Sequence, residues 1–118
     1  MSGNARQLIL QIVETDRTFE QKVDRFGQKC WIGRCIHCNT ALVVGLDGSC
    51  GREVTIEHII PRGRGGDDRL QNLALACNRC NHTKGHRQDM LKPNHPDFQK
   101  MVTFLQQRRQ ERWREPTS

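Results

Sequence analysis

The chain has 118 residues, 35% of them hydrophobic and 27% charged, with four Phe, two Trp and no Tyr. That length fits a single domain, 1–118, whose thin apolar core calls for a staple, and the formal net charge of +6 favours nucleic acid or another anionic surface as partner. No stretch approaches membrane-spanning length, and the apolar run over 8–13 is broken by Gln11 and followed by Glu14 and Asp16, unlike a cleavable leader; the expected compartment is the cytoplasm, where thiols stay reduced.

Residues 5–27 read as an N-terminal helical segment. Leu8, Ile9, Ile12 and Val13 form one apolar stripe, and Phe19, Val23 and Phe26 continue at helical spacing. Thr18 followed by Gln21 resembles a capping box, which predicts two short helices with a break near 15–18, and Gly27 is the expected end.

Residues 28–90 are rich in Cys, Gly, His and Asn. Short strand-like runs lie at 41–44 and 54–60, with Gly45, Gly48 and Gly51 between them. Pro61, Gly63, Gly65 and Gly66 mark a second turn region. A third strand is expected at 73–76 and a helix from about 78 to 87. Pro93 and Pro96 then separate the elements, and Pro96 suits the first turn of a new helix. Phe98, Met101, Val102 and Leu105 give that last segment, 96–115, an apolar stripe. Arg108, Arg109, Arg112 and Arg114 follow, with Trp113 among them. These arginines read equally as a second basic surface for nucleic acid and as a solvated helix end favoured by the helix dipole.

Two CxxC pairs, Cys35–Cys38 and Cys77–Cys80, have the form of metal knuckles. Two knuckles complete the tetrahedral all-thiolate shell of structural zinc, which leaves no open position for chemistry. Such a site lowers the positive charge by about two without reversing it. Cys30 and Cys50 read as small buried hydrophobes.

Between the knuckles run TIEHIIPRGRGG, from Thr55, and NLALACNRCNHTKG, from Asn72. They place a carboxylate and an imidazole at the end of a strand, before a glycine-rich turn. Asn72 precedes the second strand, and Asn81 follows a knuckle at a helix start. These groups suit phosphodiester hydrolysis. Glu57 and the Asn81 amide oxygen offer hard-cation ligands. A neutral imidazole at His58, with an ordinary pKa of about 6.5, can take a proton from water.

These strings, in this order, resemble the HNH endonuclease superfamily, in the subgroup whose last His is Asn (HNN). The resemblance covers residues 35 to about 85. It implies an α+β fold: a ββα-metal nuclease core with a four-cysteine zinc site, flanked by N- and C-terminal helices. It further implies His58 as general base, Glu57 as acidic metal ligand, Asn72 as the brace of the loop and Asn81 as the last metal ligand. Lys84 matches a basic position facing phosphate. His82 is held in reserve for Asn81, because neighbouring helical residues point about a hundred degrees apart. A regular strand would send Glu57 and His58 to opposite faces, so their meeting requires the strand to twist or end.

The cofactors expected are Zn(II) for structure and Mg(II) or Mn(II) for catalysis. The expected partner is DNA, double-stranded, held through its backbone by Arg62, Arg64, Arg69 and Arg87 with low sequence specificity. One centre per chain implies nicks. Bland readings stand beside these. Glu57 would be a solvated strand residue and His58 a satisfied core histidine. His82 and His86 would be a solvent-facing pair, and His37 and His95 incidental. The rival function is a zinc-stabilised nucleic-acid-binding module without catalysis, or one directed at RNA.

Overall fold

The structure is a computed structural model that describes residues 3–92 and 94–116; Pro93 lies outside them. The first helix, α1, spans Gly3–Glu14. Its stripe buries Ile9, Ile12 and Val13, each contributing about 1.5–3 kcal/mol by leaving water. The helix stops where the Thr15 hydroxyl turns back on the carbonyls of Gln11 and Ile12, at 2.9 and 3.1 Å.

The second helix expected before Gly27 is not formed. Glu20–Val23 is a strand, β1, paired antiparallel with β2, Lys29–Arg34. Two side chains explain the difference. Thr18 caps no helix: its hydroxyl donates to Asp16 Oδ1 at 2.8 Å and accepts the Arg34 amide at 3.2 Å. Asp24 closes the hairpin, its carboxylate accepting the amides of Phe26 and Gln28 at 2.8 and 3.0 Å, with Gly27 at φ 81°. The spacing of Phe19, Val23 and Phe26 was therefore no helical face. Phe19 is fully buried, whereas Val23 and Phe26 are 60% and 75% exposed.

Strand β2 also pairs with β3, Ala41–Gly45, giving a three-stranded antiparallel sheet. A separate two-stranded antiparallel ribbon follows, β4 (Val54–His58) with β5 (Leu73–Cys77), in a register that sets Glu57 opposite Ala74 and His58 opposite Leu73. Helix α2, Asn78–Met90, begins directly after β5. This β4–β5–α2 unit is the expected ββα core. Strand β5 is buried along its length, packed against α1 and α2, which explains its unbroken apolar sequence.

The last helix, α3, spans Pro96–Glu111. His95, expected to be incidental, is its N-cap: the Nδ1 accepts the Asp97 amide at 3.1 Å. Phe98 and Leu105 are buried, with Met101 and Val102 packed at the core's edge. No helix among the described residues is long and apolar enough to cross a membrane.

The arginines at its end fit neither sequence expectation. Arg108 donates to the carbonyls of Ile36 and His37 at 3.0 and 2.8 Å. Arg109, only 1% exposed, reaches the carbonyls of Leu73, Thr15 and Leu70 and the Thr15 hydroxyl. Arg112 binds the carbonyls of Arg34 and Cys35 and the Asn39 side chain. Arg114 binds those of Val13, Glu14 and Phe19. The reason lies in what α3 ends upon. The C-terminus of α1 and the first knuckle expose carbonyls with no helix or sheet partner, and a guanidinium brings five donors in a rigid fork. Burial lowers the Arg109 pKa to about 10, with buried Asp16 working against that shift.

Candidate active site and metal centre

Cys35 follows β2, Cys38 lies in the turn before β3, Cys77 ends β5 and Cys80 sits in the first turn of α2. Their four sulfurs all lie within 4.8 Å of one another. The Cys38 and Cys77 sulfurs are 3.9 Å apart, close to the edge of about 3.8 Å that a tetrahedron with Zn–S bonds of about 2.3 Å requires. Cys35 Sγ accepts the amides of His37 and Cys77 at 3.4 and 3.3 Å, and Cys77 Sγ accepts that of Cys80 at 3.4 Å. Amides aimed at sulfur favour thiolates. Burial pushes the Cys35 thiol up, and burial with neighbouring thiols pushes Cys80 far up, while the Thr40 amide brings Cys38 down to about 7. Thiols this close give up their protons together only around a cation, so the set fits structural zinc. Cys30 is buried and Cys50 partly so, and neither joins the group.

The strand β4 stays regular, and its two candidate residues leave on opposite faces. Glu57 points inward and is 2% exposed. Its carboxylate meets Lys84 Nζ at 2.9 Å and His37 Nε2 at 2.8 and 2.6 Å from the two oxygens. The bland reading of Glu57 as a solvated residue is thus overturned, and so is that of His37 as incidental. His37 sits between two cysteines of the four-sulfur cluster, and the knuckle carries it onto β4. Lys84 was expected to face phosphate. It is instead buried, its ammonium also donating to the carbonyls of His58 and Ile59 at 2.7 and 3.0 Å. A buried carboxylate needs a cationic partner, and α2 supplies it one turn past Cys80. Burial lowers the Lys84 pKa, and the Glu57 charge opposes that.

Asn81 also faces β4. Its Nδ2 donates to Thr55 Oγ1 at 3.1 Å, on the same strand face as Glu57. The amide oxygen of Asn81 and the carboxylate of Glu57 are donors of the kind a hard divalent cation takes. Lys84 Nζ, held by Glu57 and two backbone carbonyls, is a cation already seated among such oxygens. The oxygen donors are of the kind a hard cation takes, but the carboxylate among them is already neutralised by Lys84 and His37. His82 is exposed on α2.

His58 occupies the other face of β4, with its side chain 22% exposed. Its Nε2 lies 2.8 Å from Asp68 Oδ1. Arg62 grips the same carboxylate through Nε and Nη2 at 2.9–3.1 Å. The loop between β4 and β5 is built to bring Asp68 there. Asn72 holds it: Oδ1 accepts the Ile60 amide at 2.8 Å, and Nδ2 donates to the carbonyls of Ile60 and Asp67 at 3.0 and 2.8 Å. Gly65 turns with φ 92°, and a Cβ at Gly66 would strike the Ile60 carbonyl, so the glycine pair is needed for the loop to close.

Of the four arginines expected to hold a backbone, Arg62, Arg69 and Arg87 are exposed; Arg69 pairs with Asp67 at 2.8 Å. Arg64 is turned aside: its Nη2 donates to the Leu91 carbonyl at 2.6 Å and its guanidinium lies 4.5 Å over the Phe98 ring. Sequence reasoning missed two residues here. His37 was signalled by its place in a CxxC knuckle, which a metal shared with Cys77 and Cys80 would set beside the start of α2. Asp68 was signalled only by its position two residues past the glycine pair, ahead of Asn72.

No curated protein and no solved structure matches the chain significantly. Residues 35–87 match the family model described as HNH endonuclease. That span runs from the first cysteine of the four-sulfur cluster through both strands into the helix of the ββα unit, and over this segment the chain is similar to HNH endonucleases.

Proposed function

We propose that the chain is a metal-dependent DNA endonuclease that nicks duplex DNA with little sequence preference, working as one domain with its zinc-braced core at 28–90. The observation that carries this reading is His58: a partly open imidazole at the end of the first strand of an HNH unit, one residue from a buried carboxylate and oriented by an acid. Structural imidazoles are ordinarily satisfied in the interior; this one keeps a face toward solvent.

His58 takes the proton of the attacking water. Glu57 and the Asn81 oxygen would hold the divalent ion once Glu57 is released from Lys84 and His37 and β4 twists at its end to bring that face beside His58; when bound, the ion would polarise the phosphoryl group and offset charge on the departing oxygen. Arg87 binds backbone phosphates, joined by Arg62 and Arg69 through the N–H donors that their Asp68 and Asp67 pairs leave free; such contacts position the duplex without reading it. Asn72 keeps the loop bearing Asp68 closed on β4. Lys84 acts from beneath, fixing Glu57 and the backbone at His58.

The rival reading, a zinc-stabilised binding module, draws support from one feature: Lys84 and His37 already neutralise the carboxylate. One assay separates the two. Supercoiled plasmid is incubated with the zinc-loaded protein in Mg(II) or Mn(II), beside His58→Ala. Nicking by the parent and a fall of roughly 10²- to 10⁴-fold in the variant are expected, the usual worth of a general base. DNA binding without cleavage under either metal would leave the binding module standing; equal nicking by the variant would remove His58 from the chemistry.

A further inference from the structure

We propose that Asp68 is the positioning residue of His58 and makes Nδ1 the ring nitrogen that receives the proton. This rests on the nuclease reading above and adds to it a residue and an atom. An ionised carboxylate can only accept, so the ring nitrogen facing it must carry a hydrogen. That nitrogen is Nε2, 2.8 Å from Asp68 Oδ1. Hydrogen bonds from His58, and then from Arg62, hold the Asp68 carboxyl below the usual carboxylate range, so it is ionised near neutral pH. A neutral imidazole has one N–H; with that hydrogen on Nε2, the lone pair is on Nδ1.

The carboxylate is itself held. Arg62 contacts both its oxygens, Nη2 reaching Oδ1 at 2.9 Å and Oδ2 at 3.0 Å, which fixes its plane. The neighbouring Asp67 carbonyl is tied to Asn72. From behind, Lys84 holds the His58 carbonyl. The ring is thus fixed through its edge and its backbone at once.

In the step this assigns, a water O–H bond breaks and its proton goes to Nδ1. The freed water oxygen forms the new bond to phosphorus. The P–O ester bond breaks, its electron pair staying on the departing sugar oxygen, which takes a proton from solvent water. The ring then holds two N–H groups, and the Asp68 charge beside Nε2 stabilises that cation. Asp68 is 59% exposed. Its effect should therefore be about 10- to 100-fold, below the roughly 10⁴-fold seen when a fully buried carboxylate–histidine pair is altered.

The test uses the full zinc-loaded chain as parent, Asp68→Ala and Asp68→Asn, with zinc content and thermal midpoint matched first. The ¹⁵N shifts of the His58 ring report its tautomer, and plasmid nicking reports kcat and KM separately. Expected are an Nε2–H ring in the parent, a mixed ring in both variants, and kcat lower by about 10- to 100-fold with KM no higher. Charge alone predicts the opposite, since removing an acid beside DNA strengthens attraction. A parent ring protonated on Nδ1, or variants that nick at the parent's rate, overturns the proposal and leaves the nuclease reading intact. A parent that never nicks removes the nuclease reading, and the proposal with it.

Discussion

Removing the metal from the four-cysteine site is expected to unfold the segment from Cys35 to α2. The four sulfurs bring the β2–β3 turn, the end of β5 and the start of α2 to one point. Apparent zinc-binding free energies in small thiolate domains are about 10–16 kcal/mol at neutral pH, against a whole-domain stability of about 5–15 kcal/mol. Without a cation the thiols lose their shared counter-charge, and the buried Cys35 and partly buried Cys80 revert to protonated groups. A chelator added to the purified protein, and Cys77→Ser separately, should abolish dispersed amide signals over 35–90 and the cooperative thermal transition. His37 should leave Glu57 in the same step. A chelated chain that keeps the parent's spectrum and thermal midpoint would show that the frame stands without metal.

Replacing Arg109 should be the most damaging single substitution outside the cysteines. Its guanidinium is buried and serves four oxygens, from Thr15, Leu70 and Leu73. Arg109→Met roughly preserves the stem and removes every donor. The Leu73 carbonyl, deep among α1, β5 and α3, costs about 1–3 kcal/mol if left unsatisfied, while those of Thr15 and Leu70 lose a second partner but keep the amides of Arg114 and Leu73. Arg109 is also a cation near buried Asp16, which would lose that charge. Allowing for partial relaxation, a loss of about 3–5 kcal/mol is expected. In a chain of this size that lowers the thermal midpoint by on the order of 15 °C. Arg87→Met, on the exposed face of α2, should change stability by no more than about 0.5 kcal/mol. Chemical denaturation of the three proteins decides it; a loss at Arg109 below about 1 kcal/mol would mean that water or a shifted backbone replaces the clamp.

Much of the core was legible because its constraints are local or combinatorial. The cysteine spacings reveal a shared metal without any knowledge of the path between them. The apolar run of β5, the helix start at Asn78 and Pro96 at the head of α3 all obey short-range rules. The hairpin β1–β2 was illegible for the converse reason. Phe19, Val23 and Phe26 mimic a helical stripe, and only the contacts of Thr18 with Arg34 and of Asp24 with the turn amides decide against it. Glu57 and His58 show the same limit at the site. Their faces follow from strand geometry, but the partners, His37 and Lys84 for one and Asp68 for the other, come from 10 to 27 residues away. The arginines of α3 were misread because composition reports charge and not the direction a side chain takes.

With those four arginines turned to carbonyls, the end of α3 gives DNA no second basic surface, although their charges still count in the formal net charge of +6. Each lysine or arginine that neutralises a phosphate releases roughly 0.9 counterion. Phosphate contacts confined to Arg62, Arg69 and Arg87 would give a slope of about −2.7 in log affinity against log salt, and a free tail of four more arginines would bring it to about −6.3. A titration over a range of ionic strengths should therefore find a shallow line. The duplex would then be held loosely enough to exchange between contacts, and dwell at any one site would be set by the geometry of the cut more than by the grip on the backbone.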